Sequence, residues 1–314
     1  MNAARISRLR SGPLRQSLVF GRGMVSDDTE HAVMTLLSLR ESDGDAGQFE
    51  KALARHLRWW LAAVPAGVGL ATARSILKLW IGFPPSSSGV VSAGNGPLMR
   101  APVIGLFFNE DAEQRERHIK ISTSMTHRDP RAVEAALMIG EATAIAAGPK
   151  EEEDQILRRL ERHVTSDEMR LRFAKIREHL AARQSVNAFA DSFSRKAGFV
   201  SGFAPDTAAV AIYAWLHHRG DFTATVESVI RCGGDTDTVA FVAGSIAGAE
   251  VGIKGLNSSW LDALSDYPLS VGFLKNMMER ENAHFPFWPQ LVFRNLVFLI
   301  IVLTHGFRRL LPPY

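Results

Sequence analysis

Apolar residues in this chain recur mostly three and four positions apart, and alternating β-branched runs are scarce, so the pattern is one of helices rather than strands. Val33, Leu36, Leu37 and Leu39 predict one amphipathic helix, preceded by an Asp27-x-x-Glu30 capping-box pattern. Leu53, Leu57, Trp60 and Leu61 predict another, ended near Pro65-Ala66-Gly67. An Ala- and Met-rich stretch from Arg131 to Ala147 starts after Pro130. Glu151-Glu152-Glu153-Asp154 opens a further helix, its acids complementing the positive end of the helix dipole. Thr207 to His217 is almost wholly apolar and stops at Arg219-Gly220. These segments predict an all-α, multi-helix bundle, with residues 1–314 forming a single domain.

The end of the chain departs from this amphipathic pattern. Leu291 to Phe307 reads LVFRNLVFLIIVLTHGF, between Pro286 and Pro289 on one side and Arg308-Arg309 on the other. Arg294 and Asn295 interrupt it, leaving an unbroken apolar run of eight residues from Leu296 to Leu303. A bilayer span needs roughly 18. Residues 286–314 therefore read as an apolar helix that closes the domain by burial, the alternative being a helix at a membrane surface with basic flanks.

Length and composition narrow the class. The 314 residues suffice for a large core, and 46% hydrophobic with 22% charged residues is ordinary for a soluble protein. A net charge of +3, without interleaved aromatic and basic residues, gives no reason to expect nucleic acid. Cys232 is the single cysteine, which excludes an internal disulfide and fits a reducing, cytoplasmic setting. The first 22 residues hold Arg5, Arg8, Arg10, Arg15 and Arg22 and no acid, a composition similar to that of a transit peptide. They lack an apolar core and run straight into the next motif, so they read as part of the domain or the remnant of a longer one.

The chemistry concentrates in two short runs far apart, Ser26-Asp27-Asp28-Thr29-Glu30 and Gly233-Gly234-Asp235-Thr236-Asp237-Thr238. Each crowds carboxylates and hydroxyls at the start of a helical pattern. Crowded carboxylates repel, and their oxygens are hard ligands suited to Mg²⁺, Mn²⁺ or Ca²⁺. Neither run contains a histidine, which argues against zinc. Gly233 and Gly234 allow a tight turn where the acids begin, and Gly244, Ala247, Gly248 and Ala249 beyond them permit close helix packing. Taken alone, each run also reads as a helix cap. Between them, Ser92-Ala93-Gly94-Asn95-Gly96-Pro97-Leu98-Met99-Arg100 reads as a turn or as a loop offering backbone amides and the Arg100 charge to an anion.

SDDTEH, the SAGNGPLMR loop, Thr126-His127-Arg128-Asp129-Pro130 and GGDTDT resemble, in order and spacing, the motifs of the ADP-ribosylglycohydrolase family, from about Gly21 to Gly252. The resemblance implies a helical domain of that type with two Mg²⁺ or Mn²⁺ ions in a cleft. The metal ligands it implies are Ser26, Asp27, Asp28, Asp235, Asp237 and Thr238, with serine where the family more often has threonine. Gly94, Asn95, Gly96, Arg100 and His127 would line the substrate side. Ser201-Gly202-Phe203 resembles a Gly-Tyr-Val segment of the family, so Phe203 either packs on the ligand or belongs to the core. Asp28 or Asp235 would serve as the catalytic carboxylate beside a metal-activated water.

The implied activity is release of ADP-ribose from a modified protein side chain or a related ADP-ribosyl conjugate, through an oxocarbenium-like transition state. The family usually begins with a glycine-rich helix ending in a GDA-type motif, and nothing before Gly21 resembles it. Gly44-Asp45-Ala46-Gly47 has similar letters but follows the first acidic run and reads as a turn. Metal and ADP-ribose binding are thus expected more firmly than turnover. A family relative that binds ADP-ribosyl groups or a partner without cleaving them is the alternative, and a calcium-stabilised helical protein is a third.

Overall fold

Two largely apolar helices form the middle of the molecule, because a helix with so little polar surface is stable only when surrounded. Thirteen of the fourteen residues of Ala204–His217 are buried, and Pro130–Ala147 beside it is buried along most of its length. Thr236–Val251 packs on both and on Phe222–Arg231, with Gly244 facing Phe222 and Val226 of that last helix. Ala101–Phe107 and Ala112–Ser124 cover the other side of Pro130–Ala147, and Asp27–Glu41 with Ala46–Ala62 form an outer pair.

This computed structural model describes residues 1–9, 12–279, 286 and 288–308. Among the described residues there are seventeen α-helices and no strand. The arginines at positions 10 and 309 named above lie outside them.

Local sequence sets most helix starts. Pro130 occupies the first turn of its helix, where a missing N–H costs nothing, and Asp129 caps it by accepting from the Arg131 N–H at 3.0 Å. Glu152 begins Glu153–Glu161 with a reciprocal Gln155 cap. Asp45 caps Ala46–Ala62 through the Gln48 N–H, so Gly44-Asp45-Ala46-Gly47 is the start of a helix rather than only a turn. The capping box expected at Asp27-x-x-Glu30 is not formed. Ser26 occupies the cap position, and its hydroxyl turns to Asp28 instead of the backbone. Glu30 points into the protein, where the Trp60 indole N–H donates to it at 2.6 Å.

The arginine-rich start is integrated into the fold. Ala3–Leu9 is helical, the Gly234 N–H donates to the Met1 carbonyl at 2.8 Å, and the Ala3 N–H to that of Gly198 at 2.9 Å.

The last helix, Trp288–Arg308, corrects the expectation of apolar burial. It is long and apolar enough to cross a bilayer, yet only 17% of its most apolar eighteen-residue stretch is buried. Its inward contacts come chiefly from the two polar residues that interrupt the run. Arg294, 4% exposed, donates to Glu30 at 2.9 Å, to Asp266 at 2.7 Å and to the Val25 carbonyl at 2.5 Å. Asn295 donates to the Ala63 carbonyl at 2.9 Å.

Candidate functional site

Four loops distant in sequence meet at the N-terminal ends of Asp27–Glu41 and Thr236–Val251. Single backbone pairs knit them together: Gly94 with Phe203, Val200 with Gly234, and Val90 with His127. Gly234 lies so close to the neighbouring chain that an added Cβ would stand 1.9 Å from the Val200 carbonyl oxygen, and its φ of +87° is open chiefly to glycine. This close turn presents Asp235 at the entrance of its helix.

The result is a polar cleft of about 370 Å³ lined by Asp27, Asn95, His127, Asp235, Asp237 and Thr238, among others. Leu70, Ala71, Met99 and Trp60 form its less polar wall. Asp28 lies just beneath, fully buried. Its Oδ2 accepts from the Ser26 hydroxyl at 2.7 Å, while its Oδ1 has no partner in good hydrogen-bond geometry, although the Thr238 hydroxyl is near enough to favour the ionised carboxyl. A buried carboxylate oxygen left without a donor is uncommon and calls for an explanation.

The two acidic runs converge on this cleft, and each perturbs the carboxyls of the other. Burial, then repulsion from Asp28, Asp237 and Glu30, pushes the Asp27 carboxyl up to about 8. Burial raises Asp28 to about 6, against the Ser26 hydroxyl bond, which favours the ionised form. Asp235 is also raised, by burial and by its neighbour Asp237. Asp27 and Asp237, some two hundred positions apart, thus act on each other across one cleft. Among the described residues no three His, Cys, Asp or Glu side chains already close into a cage. The oxygen set assembled here nevertheless fits a hard divalent cation: carboxylates supplemented by the Ser26 and Thr238 hydroxyls, with the unpartnered Asp28 Oδ1 among them.

The remaining sequence candidates divide. Asn95 stands at the centre, its Nδ2 donating to Asp235 at 2.8 Å and to the Thr207 hydroxyl at 3.1 Å. Of the two readings of the loop, its amides do not form an open nest, because the Gly94 N–H goes to the Ser92 hydroxyl and the Asn95 N–H to the Gly202 carbonyl. Its glycines instead admit the imidazole: a Cβ on Gly96 would come 3.0 Å from His127 Cε1. Burial, with the Arg100 charge nearby, lowers His127 to about 3, so it lines the cleft as a neutral ring.

Arg100 is a correction. It is completely buried behind the cleft, donating to the Ser122 hydroxyl and carbonyl, to the Thr126 hydroxyl and to His31 Nδ1. It reaches the cleft through His31, which lines it, and through Thr126, whose hydroxyl is 2.9 Å from His127 Nδ1, and so acts as a positioning residue. The Phe203 ring is likewise engaged elsewhere, facing the Arg131 and Arg172 guanidiniums at 5.4 and 5.3 Å.

Sequence reasoning missed several contributors. Trp60 reads as an ordinary core residue, and nothing marked Thr72, which lines the cleft, or Thr207, which accepts from Asn95. Arg294 does carry a signal: a single charge inside an apolar helix is buried only with partners, and its partners, Glu30 and the Val25 carbonyl, flank the first acidic run.

Comparison with known proteins bears on the family and the fold. The sequence model of the ADP-ribosylglycohydrolase family matches residues 1–285. An uncharacterized protein of Archaeoglobus fulgidus is 27% identical over 250 residues, covering 78% of this chain and 76% of the relative. A solved structure described as an ADP-ribosylglycohydrolase-related protein complex superimposes with a TM-score of 0.58 at 24% identity, over 86% of this chain and 81% of the other, a likeness of fold.

Proposed function

Since the chain belongs to the ADP-ribosylglycohydrolase family, we propose that it hydrolyses the glycosidic bond between ADP-ribose and a modified protein side chain or related conjugate, with two Mg²⁺ or Mn²⁺ ions. Ser26, Asp27, Asp28, Asp235, Asp237 and Thr238 would hold the ions. The observation that carries this reading is the buried Asp28 Oδ1 without a donor, at the base of a cleft where three more carboxylates gather. Carboxylates raised by burial and mutual repulsion gain most from a cation, which removes both penalties together.

Such ions supply a fixed point for ribose hydroxyls and a water made acidic enough to attack. The protein's own groups account for the rest. Asn95 holds the Asp235 carboxylate in one orientation, suiting it to align or deprotonate a nucleophilic water. The Ser26 bond fixes Asp28 in the same way while leaving Oδ1 unengaged. Neutral His127 can hydrogen-bond a ligand without adding positive charge beside an oxocarbenium-like centre. Trp60, Leu70 and Met99 limit water on the remaining side.

The test is thermal melting with Mg²⁺ or Mn²⁺ and with ADP-ribose, followed by assay of ADP-ribose release from arginine- or serine-modified protein. Both additions raise the melting temperature, release follows, and Asp235→Ala abolishes release while keeping its helical circular dichroism. Stabilisation by both without release assigns the chain to binding rather than turnover. Stabilisation by Ca²⁺ alone overturns the hydrolase reading.

A further inference from the structure

Trp288–Arg308 is a helix turned inside out: Arg294 and Asn295 face the protein, while Phe293 (66% exposed), Leu296, Ile300 (63%) and Leu303 face away from it. Contiguous apolar surface of this kind marks an interaction site in a soluble protein. It continues at both ends of the helix. Trp288 packs edge-on against Trp59 at 6.4 Å, and Trp59 against Trp80 at 5.9 Å, all three partly exposed. Towards the other end, His305 donates to the Leu18 carbonyl at 2.6 Å. Next to Leu18, a tight turn closed by Val19 and Arg22 carries Phe20 at its tip. Phe20 is fully exposed (102%) and has a φ of +49°, a conformation an aromatic residue rarely takes. Phe20, Phe293 and Val297 line one shallow hollow with Arg22, and the acid in that hollow, Asp266, is paired with Arg294.

Charge identifies the occupant. The apolar residues named on this face come from three stretches, residues 1–26, 51–109 and 282–314, that contain no Asp or Glu; the one acid lining the hollow, Asp266, is neutralised by Arg294. These stretches hold fourteen of the 36 Lys and Arg residues and none of the 33 acids; Arg22 lines the hollow itself, Arg100 and Arg294 are buried, and Arg10 and Arg309 lie outside the described residues. A second copy would bring the same surface, whose one lining acid is already paired, against itself, an unfavourable pairing. An anionic lipid surface is complementary on both counts, apolar beneath and negative at the boundary. The helix cannot leave the domain to span the bilayer, since that would strand Glu30 and Asp266 as buried unpaired charges.

We propose that this face seats the protein on an anionic bilayer, with Trp288–Arg308 lying in the plane of the interface and Phe20 and the tryptophans at headgroup depth. The test is sedimentation of the full-length protein with phosphatidylcholine vesicles and with phosphatidylcholine–phosphatidylglycerol vesicles. The protein sediments with the anionic vesicles, less so at high salt, and its tryptophan emission shifts to the blue. Phe293→Ser with Ile300→Ser, both on the outer face, lowers partitioning by about tenfold or more while the melting transition with ADP-ribose is unchanged. The proposal is overturned by absence from both vesicle pellets, by equal partitioning of the double variant, or by a solution dimer that the double variant dissociates.

Discussion

Asp27, Asp28 and Asp235 are carboxylates removed from water and set against one another, so in the metal-free protein each ionised form costs stability. A carboxyl whose folded-state pKa is raised contributes stability that is complete below its unfolded value, near 3.8, and is lost as pH rises through the folded one. For Asp28 and Asp27 that loss runs from about pH 4 through about 6 and 8. Buried neutral histidines such as His127 act in the opposite sense below pH 6.5, so the aspartate contribution is read as a difference between variants: in EDTA, Asp27→Asn stabilises the protein more at pH 8 than at pH 5, on the order of 2 kcal/mol. Mn²⁺ stabilises the native protein more at pH 8 than at pH 5, where it must displace protons; calorimetry across that range checks the sign. Gly234→Ala should cost roughly 1–3 kcal/mol through backbone strain and abolish the Mn²⁺ stabilisation, because the turn that presents Asp235 has no room for a Cβ. The two acidic runs were legible in sequence because crowded acids beside a double glycine are chemically unusual. Arg100 was misread for the opposite reason: an arginine beside a glycine-rich loop has the letters of an anion site, and only burial reveals that Ser122, Thr126 and His31 take its donors.

At the scale of the element, the first acidic run depends on a helix that follows it by more than 260 residues. Arg294 holds Glu30, Asp266 and the Val25 carbonyl, so it fixes the strand of chain entering Ser26 and the first turn of Asp27–Glu41 together. Arg294→Ala leaves two buried carboxylates unpaired and should destabilise by about 3–5 kcal/mol, measurable by urea denaturation. The loss is smaller in a background carrying Glu30→Gln, because one of the stranded charges is then already absent. Helical periodicity made the main helices legible, since Pro130, Asp45 and Glu152 mark their starts. It failed at Trp288–Arg308 because periodicity reports which residues are apolar and not which side the domain offers. Here a buried acid pair selects the arginine, and the apolar residues are left facing outward.

At the scale of the molecule, the cleft is built from loops that no single helix controls. Residues 93–96, 198–204 and 233–235 meet through the Gly94–Phe203 and Val200–Gly234 pairs, the Asn95 N–H to the Gly202 carbonyl, and the Asp235 N–H to that of Val200. The start of the chain joins them through Met1 and Gly234. Sequence gave each motif's chemistry but not this mutual backbone bonding, because pairs between distant loops leave no periodic trace. Such loops order together: fixing one removes conformational freedom from all. Asn95 is the side chain that crosses between them, reaching Asp235 and Thr207 at once. Metal binding at the acidic runs should therefore raise amide-exchange protection in all three segments by a similar factor, with Trp288–Arg308 unchanged. In Asn95→Ala the coupling is cut at its middle. Protection should then rise on Mn²⁺ addition around Asp235 but lag at Asn95 and Gly202, and hydrogen exchange read by mass spectrometry resolves the segments separately. A uniform response in that variant would mean that the helices, rather than the knitted loops, carry the order from one side of the cleft to the other.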